Sequence, residues 1–164
     1  MRFRCCLPRF DLHPGQIHLA RGPAILQTIL GSCVSVTFWC AEQGAGAMCH
    51  GVLPRYPGKT AGCAEHNGYR YVDYSVRRLA EKFDAIGADR RELEIKVFGG
   101  ADVLPISCVG RGRLSIGAMN CEAAMDVLHE QGLTVIASDL RGVSGRKIVF
   151  HTGTGEVLVR RLVM

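Results

Sequence analysis

The stretch "CVSVTFWCAEQGAGAMCHGVL", Cys33–Leu53, decides the fold. Val34, Val36 and Phe38 alternate with Cys33, Ser35 and Thr37, the period of two of a β-strand with one apolar face. A polar, glycine-bearing connection follows at Ala41–Gly46, and Ala47–Leu53 reads as a second strand that stops at Pro54. Two strands joined so closely form an antiparallel hairpin. Cys33 falls on the more polar face of its strand. If the hairpin closes around Ala41-Glu42, with Trp39 facing Gly44, then Cys33 and His50 are cross-strand partners with Cβ atoms about 5 Å apart.

Working outward, Gln16–Ala20 and Ala24–Thr28 are expected as short strands around the Arg21-Gly22-Pro23 turn. Leu93–Phe98, Leu133–Ser138, Lys147–Thr152 and Glu156–Val163 are further strands, the last two turning at Gly153-Thr154-Gly155. Val72, Val76, Leu79, Phe83 and Ile86 recur at steps of three and four and predict an amphipathic helix over Tyr69–Ile86. A second helix is expected from Cys121 to Gln131, with Asn120 as N-cap, Ala124, Met125 and Leu128 inward, and Gly132 closing it. Arg55–Gly68 is a Pro/Gly-rich loop. Two helices among about eight mostly hairpin-connected strands predict an α+β fold: a layered α/β sandwich of mostly antiparallel strands with two main helices packed on one side. A doubly wound parallel sheet would need more crossover helices. Residues 1–14 are expected as a mobile N-terminal extension and 15–164 as a single domain.

A chain of 164 residues, 48% hydrophobic and 21% charged, is large enough to bury a core without metal or disulfide. Pro8, Arg9 and Asp11 interrupt any secretory apolar region, and no apolar run reaches the roughly 18 residues of a membrane span. Without an exported context the eight cysteines are expected as reduced thiols in a cytoplasmic protein. The net charge of +5 comes mainly from scattered arginines, and with 7% aromatic residues not interleaved among them, solvated faces are the better reading. Neither nucleic-acid binding nor membrane insertion is expected.

From the residues alone, Cys33 is either a small core filler or a nucleophile. An adjacent protonated His50 would lower the thiol's pKa and make a thiolate that attacks carbonyl carbon. The small Gly31-Ser32 step lets a substrate approach and leaves the backbone N–H groups of Ser32 and Cys33 free to stabilise an oxyanion. The rival reading is a zinc site from Cys49, His50, Cys63 and His66. Its spacing departs from paired C-x-x-C half-sites, and the adjacent Cys49 and His50 would point to opposite faces of a strand. Cys5-Cys6 is read as incidental.

The chain resembles the CheD family of chemoreceptor glutamine deamidases of bacterial chemotaxis, over about Gly15 to Leu162. The stretches that carry the likeness are "LGSCVSV", "GAMCHGVLP", "RYVDYSVRRL", "KVFGGADVL", "SIGAMN" and "GRKIVFHTGTGEVLVRRL". The resemblance implies a cysteine nucleophile at Cys33 and its base at His50. It also implies a catalytic threonine six residues before the cysteine, where this sequence has Gln27, with Thr28 one place later. Strand geometry turns those two side chains to opposite faces. Either a bulge brings Thr28 into place, or Gln27 orients His50 through its carbonyl oxygen. The activity implied is that of a protein-glutamine glutaminase: hydrolysis of selected glutamine side chains to glutamate on the cytoplasmic part of methyl-accepting chemotaxis receptors, through a thioester and without a cofactor or metal. Some members of the family also hydrolyse glutamyl methyl esters, and some bind the phosphatase CheC. A non-catalytic receptor- or phosphatase-binding module of the same fold is the alternative, and the Tyr69–Ile86 helix, through Arg77 and Arg78, is a candidate contact surface for acidic receptor helices.

Overall fold

The computed structural model describes residues 6–58, 65–103 and 114–162. Nine strands are formed among them: β1 (Arg9–Asp11), β2 (Ile17–Arg21), β3 (Ile25–Leu30), β4 (Val34–Cys40), β5 (Ala45–Cys49), β6 (Glu94–Gly99), β7 (Val135–Leu140), β8 (Arg146–His151) and β9 (Val157–Arg161). A single helical turn, α1 (Glu65–Gly68), precedes the long helices α2 (Val72–Ala85) and α3 (Ile116–Glu130). One sheet runs β2-β5-β4-β6-β7 and the other β1-β3-β8-β9. Among the named strands of the described residues only β6–β7 and β1–β3 pair in parallel. The expected α+β sandwich is the fold observed.

The alternation along β4 sorts the layers. Val34, Val36, Phe38 and Cys40 join Val72, Val76, Leu79 and Phe83 of α2 and Ala124, Val127 and Leu128 of α3 in one core. Fully burying side chains such as Leu79 and Phe83 stabilises the fold by about 1.5–3 kcal/mol each. The opposite face of β4 and β5 does not meet solvent. Cys33, Trp39, Met48 and Phe98 pack against Leu26, Leu30, Ile148 and Phe150 of the second sheet. Ser35, Thr37 and His50 are buried in that same inter-sheet layer.

Several expectations are corrected. Trp39 pairs with Gly46, not Gly44, because the chain turns over Ala41–Gly44 with Gly44 in the left-handed region at φ 54°. The register is therefore shifted by two residues. An even shift preserves faces, so Cys33 and His50 stay on one face as diagonal neighbours rather than direct partners. The N-terminal extension does not run to residue 14: β1 pairs with β3, and Leu12 is buried in the inter-sheet core. Residues Arg9–Asp11 are short, exposed and paired only at long range, which leaves them no periodic signal. The second helix starts earlier than expected, with Ser115 as N-cap accepting from the Ala118 N–H at 3.1 Å, and Asn120 is inside it. Met125 points outward, 40% exposed. Arg146 is no part of a solvated face: its guanidinium is fully buried and bonds the backbone carbonyls of Asp139 and Arg141 and the Asp139 carboxylate.

Candidate active site

The Gly31-Ser32-Cys33 turn enters β4 at the open end of the β4–β5 hairpin, and His50 follows β5 directly. Beyond the regular ladder the two segments are held by a reciprocal backbone pair, Val34 N–H to Gly51 O at 2.9 Å and Gly51 N–H to Val34 O at 2.8 Å. His50 is also tied to the residue just before the edge strand β2, its N–H donating to Gln16 O at 2.9 Å. Burial of this histidine, 3% exposed, requires partners for its ring.

Those partners come from the second sheet and the N-terminal strap. Thr28 Oγ1 lies 2.8 Å from His50 Nδ1 and donates to Leu12 O at 2.8 Å; Nδ1 is also 3.3 Å from Leu12 O. With the hydroxyl proton on Leu12 O, Thr28 accepts from Nδ1–H. The other ring nitrogen, Nε2, then carries the lone pair. Nε2 is buried and has no protein partner among the described residues. Of the two candidates for the third residue, Thr28 reaches the imidazole without any bulge in β3, whereas Gln27 turns away and donates to Asp11 Oδ1 at 2.7 Å.

The nucleophile turn is fixed through its carbonyls. Gly31 O accepts from Ala101 N–H at 2.9 Å, Ser32 O from Asn120 Nδ2 at 2.9 Å, and Cys33 O from Gly100 N–H at 2.8 Å. Gly99 and Gly100 both lie at positive φ, and a β-carbon on Gly99 would sit 2.2 Å from Cys33 O. The N–H groups of Ser32 and Cys33 donate to no backbone carbonyl among the described residues. Burial pushes the half-buried Cys33 thiol up, offset in part by its own backbone N–H. Burial likewise pushes His50 down, with Leu12 O opposing and His13 adding to the shift. Both directions favour the neutral forms of the thiol and of the imidazole.

A cavity of about 310 Å³ reaches Thr28 and His50, walled in part by Leu12, His13, Ile29 and Lys147. Its size is at the lower end of ligand pockets, about 300–1,000 Å³. Cys49 points into the helix-side core, away from His50, and the side chains of Cys63 and His66 lie outside the described residues. The arginines offered as a contact surface are engaged within the chain, Arg77 with Glu130 at 2.6 Å and Arg78 with Glu81 at 2.7 Å.

A thiol, an imidazole with a free Nε2 and a hydroxyl behind its Nδ1 form the kind of set that cysteine hydrolases use for acyl transfer. A family model described as CheD chemotactic sensory transduction matches residues 52–161. The chain is 41% identical over 156 residues to the probable chemoreceptor glutamine deamidase CheD 2 of Geobacter sulfurreducens, covering 95% of this chain and 91% of that protein. It is 40% identical over 153 residues to the probable chemoreceptor glutamine deamidase CheD of Trichlorobacter lovleyi, covering 93% and 90%. The Rhodospirillum rubrum protein of the same name is 37% identical over 156 residues, covering 95% and 84%. The chain belongs to the CheD family.

Proposed function

We propose that this protein is a cysteine-dependent hydrolase that deamidates glutamine side chains on the cytoplasmic part of chemoreceptors. The observation that carries the reading is the Thr28–His50 contact, which leaves a basic Nε2 on the imidazole that shares a face with Cys33. His50 Nε2 takes the Cys33 thiol proton as sulfur attacks the carboxamide carbon. The Ser32 and Cys33 N–H groups receive the developing oxyanion. The imidazolium then gives its proton to the departing ammonia, leaving a thioester at Cys33. Water, deprotonated by His50, attacks the thioester carbonyl, and the collapse returns the proton to sulfur and releases glutamate. No step draws on a metal or a cofactor. A glutamyl methyl ester would follow the same course with methanol as the leaving group. Receptor names enter through the relatives, and with them an expected cytoplasmic location; no helix among the described residues is long and apolar enough to cross a membrane. A CheC-type phosphatase is a further proposed partner, on the resemblance alone.

The test incubates the protein with the purified cytoplasmic fragment of a chemoreceptor encoded in the same genome and maps glutamines by mass spectrometry. Conversion of particular glutamines to glutamate, abolished in Cys33→Ala and His50→Gln, is expected. Equal null results for wild type and Cys33→Ala across the receptors of that genome would remove the enzyme reading in favour of a binding module.

A further inference from the structure

Asn120 is fully buried in α3 and is neither a helix cap nor part of the apolar core. Its Nδ2 donates twice, to Ser32 O at 2.9 Å and to Val52 O at 3.0 Å. Both partners are carbonyls, so the nitrogen of the carboxamide must face them. Ser32 immediately precedes Cys33, and Val52 follows His50 by two residues. The last backbone bridge between these segments is Val34–Gly51. One step beyond it, the Asn120 amide joins the two segments in place of a ladder bond.

The bond to Ser32 O matters more than its bond count. Ser32 C=O and Cys33 N–H belong to one planar trans peptide, so fixing the oxygen fixes the N–H in the opposite direction. That N–H and the nucleophilic sulfur belong to the same residue, so the orientation of the peptide sets where the N–H lies relative to the thiol. A donor at the carbonyl also polarises the peptide and strengthens its N–H as a donor. Resting on the deamidase reading above, we propose that Asn120 is a positioning residue for the oxyanion site: it aims and polarises the Ser32–Cys33 peptide toward the tetrahedral intermediate.

Neighbouring groups are shaped to bring Asn120 there. A β-carbon on Gly117 would lie 2.5 Å from Gly100 O, so only glycine lets the first turns of α3 press against the Gly99-Gly100 turn. Cys121, next to Asn120, contacts that turn through Sγ and Gly99 O at 3.9 Å. Ser115 caps the helix while bonding Asp102, three residues past Gly99. The helix end, the glycine turn and the nucleophile turn form one unit.

The test compares wild type, Asn120→Ala and Leu79→Ala, the last a core truncation on α2 away from the site. Two rates are read below every melting temperature: receptor-fragment deamidation and alkylation of Cys33 by iodoacetamide, which needs the thiolate but no oxyanion donor. Asn120→Ala should lower kcat by about 10–100-fold with KM within about twofold, a fraction of what loss of a whole oxyanion donor costs. Alkylation of Cys33 should change by less than about threefold, since a thiolate requires no oxyanion stabilisation. Leu79→Ala should keep kcat. Should Asn120→Ala fail to fold, Asn120→Ser, too short to reach both carbonyls, is read in the same way. An unchanged kcat overturns the proposal. So does a parallel fall in kcat and alkylation, which would mean general displacement of Cys33, or an equal fall in Leu79→Ala, which would mean stability alone. A wild type that alkylates normally but deamidates nothing defeats the deamidase reading, and the proposal with it.

Discussion

Thr28 and His50 meet across the two sheets, Oγ1 to Nδ1 at 2.8 Å, with Leu12 O receiving the threonine proton. Three separate segments converge on one imidazole: the strap after β1, the centre of β3, and the end of β5. The ring can rotate only by breaking this chain, so its tautomer and its aim are set by the fold itself.

Thr28→Val keeps the shape of the side chain and removes the hydroxyl, leaving Nδ1 to the longer contact with Leu12. Deamidation should fall by about 10–100-fold, part of the 10²–10⁴ that general acid–base catalysis supplies. Thr28→Ser should retain most activity, and Gln27→Ala should stay within about twofold, the scale of an uninvolved surface change. Steady-state rates on a receptor fragment check all three; a larger loss in Gln27→Ala than in Thr28→Val would reverse the assignment.

The pH dependence follows from the buried imidazole. Base catalysis needs neutral His50, whose pKa burial holds below the ordinary value of about 6.5. The acid limb of kcat should therefore have its midpoint below about 6.5. Stability shares the sign. As pH drops through the ordinary histidine value, the unfolded chain takes up a proton that folded His50 refuses, so the folded state loses stability until its own lower pKa is passed. Denaturant titrations from about pH 7 to about pH 5 should show a shallower loss in His50→Gln than in wild type.

The strands were legible because their apolar alternation is local, and α2 because Val72, Val76, Leu79 and Phe83 mark one helix face. What failed to show was non-local. Arg9–Asp11 carries no pattern of its own and becomes a strand only beside β3. The hairpin register hung on Gly44, whose left-handed conformation widens the turn by a choice that the composition of Ala41–Gly46 leaves open. Asn120 reads as a cap because Asn is a favoured N-cap residue, whereas the helix starts at Ser115 and its Gly117 is small to admit Gly100. The Cys33–His50 face survived the register error because the shift was even. Thr28 and Gln27 could be separated only once β3 had a neighbour on each side.

Gly99 offers a direct test of how tightly the nucleophile turn is held. It sits at φ 114°, and an added β-carbon would fall 2.2 Å from Cys33 O. Gly99→Ala combines backbone strain with overpacking and should cost about 2–4 kcal/mol, with loss of deamidation even where the protein stays folded. Gly87→Ala is the control: its φ is 79°, but nothing lies within 4 Å of the added atom. It should cost only about 1–2 kcal/mol and keep kcat. Chemical denaturation and kinetics on the pair separate strain from damage to the site.

Arg146 links the interior to the same turn. Its buried guanidinium holds the carbonyls of Asp139 and Arg141. Arg141 N–H in turn donates to Gly99 O at 2.9 Å, and Gly142 O accepts from Asp102 N–H at 2.8 Å. The loop that Arg146 braces therefore supports the segment that grips Gly31 O and Cys33 O. Arg146→Met removes the cation and leaves the Asp139 and Arg141 carbonyls without their part-buried guanidinium donors, a loss of about 1–3 kcal/mol and of order 5 °C in Tm. Asp139→Asn should cost less, since both carbonyl bonds from Arg146 persist. At temperatures where both variants are folded, Arg146→Met should show the larger fall in kcat, because only it frees the 139–142 loop from the nucleophile turn. Equal activities in the two would place the role of Arg146 in stability alone.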